Sequence, residues 1–289
     1  MHIVGHKENR ERLNNIVKSE KIGHAYLFVG KAGIGKKLVA IEFAKSLLCL
    51  KNENGQACGN CEACKTFENN ADFLIIEPEK NIIKVDVIRD FEKEVYLKPT
   101  ISNRKCFIIN DADLMNESAQ NALLKILEEP PEYATIILVA TKKEKLLNTI
   151  KSRVVTLNFN GLTDDEMKEV LGDKANDDII KFSRGSVKDA LQMLDENYID
   201  VASSLVKAFK TKDFLTINRK INDIKGDKDL KSNISNIFGA VILICYKELR
   251  NDTIGNTQII NIVDETNRDI MRNANFDLAL DNMVVRLCF

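Results

Sequence analysis

His24-Ala25-Tyr26-Leu27-Phe28-Val29-Gly30-Lys31-Ala32-Gly33-Ile34-Gly35-Lys36-Lys37 decides the fold. Ala25–Gly30 is an apolar run bounded by glycine, which predicts a buried strand. Beyond Lys37, the residues Ala40, Phe43, Ala44, Leu47 and Leu48 fall on one helical face. A strand, a glycine loop and a helix in that order form the context of a phosphate-binding loop, and the spacing fits G-x-x-x-x-G-K. Gly30, Gly33 and Gly35 let backbone N–H groups converge at a helix N-terminus, with Lys36 as the phosphate lysine. The next position calls for Ser or Thr, whose hydroxyl ligates Mg²⁺. Here it is Lys37, which carries its own positive charge. Two readings fit this loop: a glycine turn kept for packing, or a loop that still holds a phosphate or another anion. Productive hydrolysis of Mg²⁺–ATP is not expected of it.

Outward from this stretch, β-like runs alternate with helical spacing. Phe73–Glu77, Cys106–Asn110, Thr135–Ala140 and Val154–Phe159 read as strands. Val85–Leu97 reads as a helix closed before Pro99. Ala119, Ala122, Leu123, Ile126 and Leu127 mark another, ended by Pro130-Pro131. The alternation predicts βαβ units, hence a parallel sheet flanked by helices. A nucleotide hydrolase of this layout ends one buried strand with a metal-positioning Asp and a water-activating Glu. In the natural register Asn110 takes the first position and Asp111 the second. A second register makes Asp111 the metal carboxylate.

After Gly161 the strand signals stop. Thr163-Asp164-Asp165-Glu166 is a capping-box pattern, and Ser186 opens a further helix. From about Tyr198 everything reads helical, down to the stripe Phe276, Ala279, Leu280, Met283, Val284 and Leu287. The expected division is an α/β domain over 1–160, a small helical domain over 161–200 and an all-α domain over 201–289.

Composition narrows the classes. With 289 residues the chain is long enough for about two domains. At 44% hydrophobic and 29% charged it has material for a core, and a disordered chain is excluded. The formal net charge of −1 leaves no bulk electrostatic drive toward nucleic acid. Apolar runs such as Ala134–Ala140 fall far short of the ~20 residues that span a bilayer. No membrane association is expected, and the N-terminal residues show no signal-peptide pattern, which points to the cytoplasm.

Cys49, Cys58, Cys61 and Cys64 cluster between the first helix and the second strand, as Cys49-x8-Cys58-x2-Cys61-x2-Cys64. Four soft ligands at this spacing suit a tetrahedral Zn²⁺ with no open position, so a structural site over residues 49–64 is expected. Gly55, Gly59 and Asn60 give the loop freedom to fold back. Cys106, Cys245 and Cys288 read as buried core thiols. His2, His6 and His24 form no constellation.

Three sets of residues together carry a family resemblance. They are His24–Phe28 with the glycine loop and four inserted cysteines, Ser118–Lys125 followed by Leu127-Glu128-Glu129-Pro130-Pro131, and Ser152-Arg153 after Leu146–Ile150. The chain resembles the clamp-loader subunits of bacterial DNA polymerase III. The resemblance implies an AAA+ module, a helical lid over 161–200 and a helical oligomerisation collar over 201–289. It also implies a hetero-pentamer with gamma/tau and delta subunits, acting on the sliding clamp and primed DNA. Within the family the chain is similar to the stator, which does not hydrolyse ATP productively, while an active ATPase subunit is the alternative. The stator role maps onto Arg153 as a trans arginine finger. A guanidinium neutralises charge developing on the transferring phosphoryl group. Thr141 maps to the residue that senses the γ-phosphate. Lys188 maps to the lid position where an active ATPase carries arginine. Where the family has Ser-Arg-Cys, this chain ends in Val154.

Overall fold

The computed structural model describes residues 3–194, 196–249, 252–272 and 274–288. His2, read above with the other histidines, lies outside them. The chain divides into two compact units, Met1–Thr163 and Asp164–Phe289.

The first unit runs α1 (Lys7–Lys18), β1 (Ala25–Val29), α2 (Lys36–Leu48), α3 (Glu62–Lys65), β2 (Phe73–Ile76) and α4 (Val85–Val95). It continues with β3 (Lys105–Ile109), α5 (Glu117–Glu128), β4 (Ala134–Ala140), α6 (Asn148–Lys151) and β5 (Val155–Asn158). All five strands form one parallel sheet in the order β2-β3-β4-β1-β5. β1 pairs with β4 from Ala25↔Ile136 to Val29↔Ala140 and with β5 from Tyr26↔Val155 to Val29↔Asn158.

The unbroken apolar strands follow from burial of both sheet faces. Ala25 and Leu27, Phe107 and Ile109, and Ile136 and Leu138 join the core beneath α4 and α5. The alternate residues Tyr26 and Phe28, Cys106 and Ile108, and Ile137 and Val139 join the opposite core with α1 and α2. Phe91 of α4 meets Phe107 edge-on at 5.1 Å, which fixes α4 against β3. α4 ends at Val95 rather than at Leu97, with Tyr96 as its C-cap. Sequence periodicity gave no sign of α1. Leu13 and Val17 are its buried residues, and it is tied down by Arg10, whose Nε and Nη2 each donate to Glu42 of α2 at 2.7 Å.

The second unit is helical throughout its described residues. It comprises α7 (Asp164–Leu171), α8 (Asp177–Ser183), α9 (Val187–Met193), α10 (Glu196–Thr211) and α11 (Phe214–Gly226). α12 (Lys228–Ser232), α13 (Ile234–Lys247), α14 (Thr253–Met271) and α15 (Phe276–Cys288) follow. Leu205, Phe209, Ile217, Ile221, Phe238, Val241, Val263, Leu280 and Met283 form its core. The Ser186 hydroxyl accepts the Asp189 N–H at 3.2 Å and caps α9 as the sequence pattern predicts. At Gly239 of α13 a Cβ would stand 3.0 Å from Cε of Met193, so glycine lets α9 pack close to α13. Among the described residues no helix is long and apolar enough to cross a membrane.

At the N-terminal edge of the sheet, just before β2, Asp72 is fully buried. Its carboxylate accepts N–H groups from Thr100 at 2.8 Å, Ile101 at 2.8 Å and Ser102 at 2.7 Å. Burial pushes the carboxyl up, but these N–H donors outweigh it and hold the pKa below the ordinary carboxylate value. The stabilisation is therefore complete above the unfolded value, about 4, and is lost as the pH falls through the lower folded value. Asp72→Asn turns an acceptor-only group into one with donors facing donors. It should cost about 3 kcal/mol at pH 7 in urea unfolding, with the difference from wild type shrinking below about pH 4.

Candidate functional site

The glycine loop leaves the C-terminal end of β1. Gly33 and Gly35 have φ of 74° and 100°, in the left-handed region that favours glycine. Gly30 is needed for space, since a Cβ there would stand 2.3 Å from the carbonyl oxygen of Phe159. Lys36 begins α2 and is 6% exposed. Its Nζ donates to the carbonyls of Gly30 at 2.7 Å and Lys31 at 2.6 Å, so the lysine folds back over its own loop. Burial lowers its pKa, and the charges of Asp111 and Asp113 pull it back upward. His6, in a left-handed conformation before α1, sets its Nε2 2.6 Å from the Ile34 carbonyl. That carbonyl can only accept, so Nε2 carries the proton.

The two substituted nucleotide-site positions converge on one carboxylate. Lys37 Nζ forms an ion pair with Glu77, which follows β2. Asn110, which follows β3, donates its Nδ2 to Glu77 Oε2 at 2.9 Å and to Asp111 Oδ2 at 3.1 Å. Both partners are carboxylates, so the amide must present its NH₂ to them. Where a nucleotide hydrolase offers a hydroxyl and a carboxylate to Mg²⁺, this chain offers an ammonium and an amide NH₂. The ammonium repels a divalent cation, the neutral amide is a weaker partner for one than a carboxylate, and both groups already bond to Glu77. Asp111 has φ of 48° at the turn after β3. Asp113 is buried and accepts the Thr141 N–H at 2.9 Å and the Lys142 N–H at 3.3 Å. The backbone of Thr141 is thus fixed at the end of β4.

Arg153 lies at the opposite edge of the sheet. The Phe159 N–H donates to the Val29 carbonyl at 2.7 Å, level with the start of the glycine loop. Arg153 stands six residues earlier in the chain, in the turn before β5, and the strand alone separates Val155 from Phe159 by about 13 Å at ~3.3 Å per residue. It therefore lies at the opposite end of the strand from the chain's own loop. Its Nη2 pairs with Glu128 Oε1 at 2.9 Å, and its Nη1 donates to the Thr149 carbonyl at 3.0 Å. The side chain is 35% exposed.

The cysteine cluster closes as its spacing predicts. Cys49 caps α2, Cys61 caps α3 and Cys64 lies within α3. The four sulfurs of Cys49, Cys58, Cys61 and Cys64 lie within 4.8 Å of one another. Cys49 Sγ and Cys61 Sγ are 3.9 Å apart. A tetrahedral ion with metal–sulfur bonds of ~2.3 Å needs sulfur–sulfur edges of ~3.8 Å, so the four residues can hold one metal ion. Burial pushes the Cys64 thiol up to about 12, aided by its hydrogen bond to Cys61. Burial opposes ionisation of Cys61 too, but N–H donors from Leu50 and Cys64, with the neighbouring thiols, bring it down to about 6. Metal binding requires the thiolate form, which these N–H donors favour at Cys61. Gly55 does more than loosen this loop. A Cβ there would stand 2.1 Å from the Asn14 carbonyl oxygen, so glycine lets the loop dock on the backbone of α1. Cys106, Cys245 and Cys288 are buried in the cores, as expected.

Residues 5–163 match the family model described as DNA polymerase III, delta subunit. The chain belongs to this family of clamp-loader subunits. It is 38% identical over 152 residues to DNA polymerase III subunit delta' of Bacillus subtilis, covering 52% of this chain and 46% of that protein. It is 33% identical over 207 residues to DNA polymerase III subunit tau/gamma of Haemophilus influenzae, covering 67% of this chain and 30% of that protein. A gamma subunit-related protein of Thermotoga maritima shares the fold at a TM-score of 0.56 and 22% identity, over 96% of this chain and 98% of that one. The chain spans less than two thirds of the length of the curated relatives it matches.

Sequence reading of this clamp-loader chain missed four participants: Glu77, Asp113, His6 and Glu128. The signal for Glu77 was weak, an acid at the end of a strand with nothing to say that β2 lies beside β3. Asp113 was visible beside Asp111, but its partners come from the end of β4. Gly30 gives a direct test of the loop's packing. Gly30→Ala drives a Cβ into the Phe159 backbone and should cost about 2 kcal/mol or more in denaturant unfolding. Gly59→Ala, where a Cβ meets nothing within 4 Å but φ is +72°, should cost about 1 kcal/mol.

Proposed function

We propose that this clamp-loader chain acts as a delta prime-type stator. In this reading it supports ATP-driven placement of the sliding clamp on primed DNA without hydrolysing ATP itself. The observation that carries the reading is the convergence of Lys37 and Asn110 on Glu77. The loop geometry is kept while one Mg²⁺ position carries an ammonium that repels the ion and the other a neutral amide that binds it more weakly than a carboxylate. Residues 161–200 serve as the lid and 201–289 as the collar of a hetero-pentamer with gamma/tau and delta subunits. Arg153 acts on the nucleotide of the adjoining subunit, and its place across the sheet from Gly30 supports action in trans. The four cysteines hold one structural Zn²⁺. Cys49, Cys58, Cys61 and Cys64 would be its ligands, and their N–H···S bonds favour the thiolate form.

A second reading, an active gamma/tau-like ATPase subunit, draws on the tau/gamma likeness over 207 residues. Hydrolysis assays separate the two. The purified chain with Mg²⁺ and ATP should release phosphate no faster than its Lys36→Ala variant. In the complex reconstituted with its partner subunits, Arg153→Ala should slow turnover at the adjoining site by roughly 10³-fold or more. Phosphate release by the lone chain that vanishes with Lys36→Ala would instead establish the ATPase reading.

Elemental analysis should find one zinc per chain. Cys61→Ser should lose the metal and lower the melting temperature, because ion binding contributes folding free energy. A folded, zinc-free preparation of the wild-type chain overturns the metal assignment.

A further inference from the structure

Arg153 pairs with Glu128 at 2.9 Å. Glu128 is the last residue of α5. There its charge faces the carbonyl end of the helix, where the macrodipole disfavours an anion. The same helix keeps Glu117 in its first turn, where an acid is favoured. Pro130 and Pro131 follow after the C-cap Glu129, so the helix end is fixed and Glu128 is presented at a set position.

The guanidinium it meets is held from two elements. Glu128 Oε1 takes Nη2 at 2.9 Å, while the Thr149 carbonyl of α6 takes Nη1 at 3.0 Å and the Ser152 hydroxyl lies 3.4 Å from Nη1. Nε and the second Nη2 hydrogen have no partner among the described residues. His24, Leu127, Val154 and Val155 line the shallow depression around the pair. The arginine is thus oriented from behind with donors left over for an anion. A solvent-exposed ion pair contributes little to stability. Its value here lies in cutting the side-chain freedom that Arg153 would lose on meeting a phosphate.

We infer that Glu128 is a positioning residue for Arg153: it holds the guanidinium at the sheet edge so that its free donors meet the phosphoryl group of the adjoining subunit. This rests on the trans role of Arg153. In the reconstituted complex, Glu128→Ala should lower kcat roughly 2- to 10-fold, with KM for ATP unchanged. Glu128→Gln keeps an acceptor but no charge and should recover part of the loss. In an Arg153→Ala background, Glu128→Ala should have no further effect. In the isolated chain, ¹⁵Nε relaxation of Arg153 should report a restrained side chain that is freed by Glu128→Ala. Thermal melting within a few degrees of wild type excludes a folding defect as the cause.

Wild-type or faster turnover by Glu128→Ala overturns the inference, as does an additive loss on top of Arg153→Ala. If Arg153→Ala itself leaves turnover unchanged, the trans reading fails first and this inference falls with it. If Arg153→Ala slows turnover and Glu128→Ala does not, this inference alone fails.

Discussion

Because the five strands run parallel, the sheet has a chemical polarity. Every C-terminal strand end gathers at one edge and every N-terminal end at the other. The glycine loop, Glu77, Asn110 and Thr141 are therefore neighbours although more than a hundred residues of chain separate the first from the last. By the same rule Arg153, just before β5, stands at the far edge. A single chain of this topology cannot turn that arginine onto its own loop without breaking the β1–β5 pairing.

At the C-terminal edge, electrostatics decides the chemistry. Lys37 and Asn110 are each unsuited to a divalent cation, and separately each could be accommodated by a shift or a water. Tied to one carboxylate they reinforce each other. Removing Glu77 would take from both groups the carboxylate they share. The loop around them keeps its left-handed glycines and its close approach to Phe159.

The strands, α2, α5 and the cysteine site were legible because each rests on local pattern. A buried strand such as Thr135–Ala140 is apolar along its whole length, and CxxC spacing sets sulfur separations within a few residues. Other features were hidden because their causes are remote in sequence. α1 has few apolar residues, and its Arg10 reaches Glu42 of α2, a partner distant in sequence. Lys105 lies at 3% exposure inside β3, with its amine on the Glu94 carbonyl at 3.0 Å, which no polarity scale would anticipate. Asp72 reads as a surface acid until the 100–102 backbone is seen folded around it.

The amino-acid sequence alone determined the parallel α/β framework, the helical remainder, the cysteine cluster and the two departures at Lys37 and Asn110. Those follow from periodicity, spacing and residue chemistry, which act over a few positions. Tertiary structure alone decided that the two departures share Glu77, that Gly55 is a docking point and that Arg153 is held by Glu128 on the far edge. Each is a meeting of segments brought together by strand order and by the packing of one helix on another. A charge has no partner until the fold supplies its neighbours.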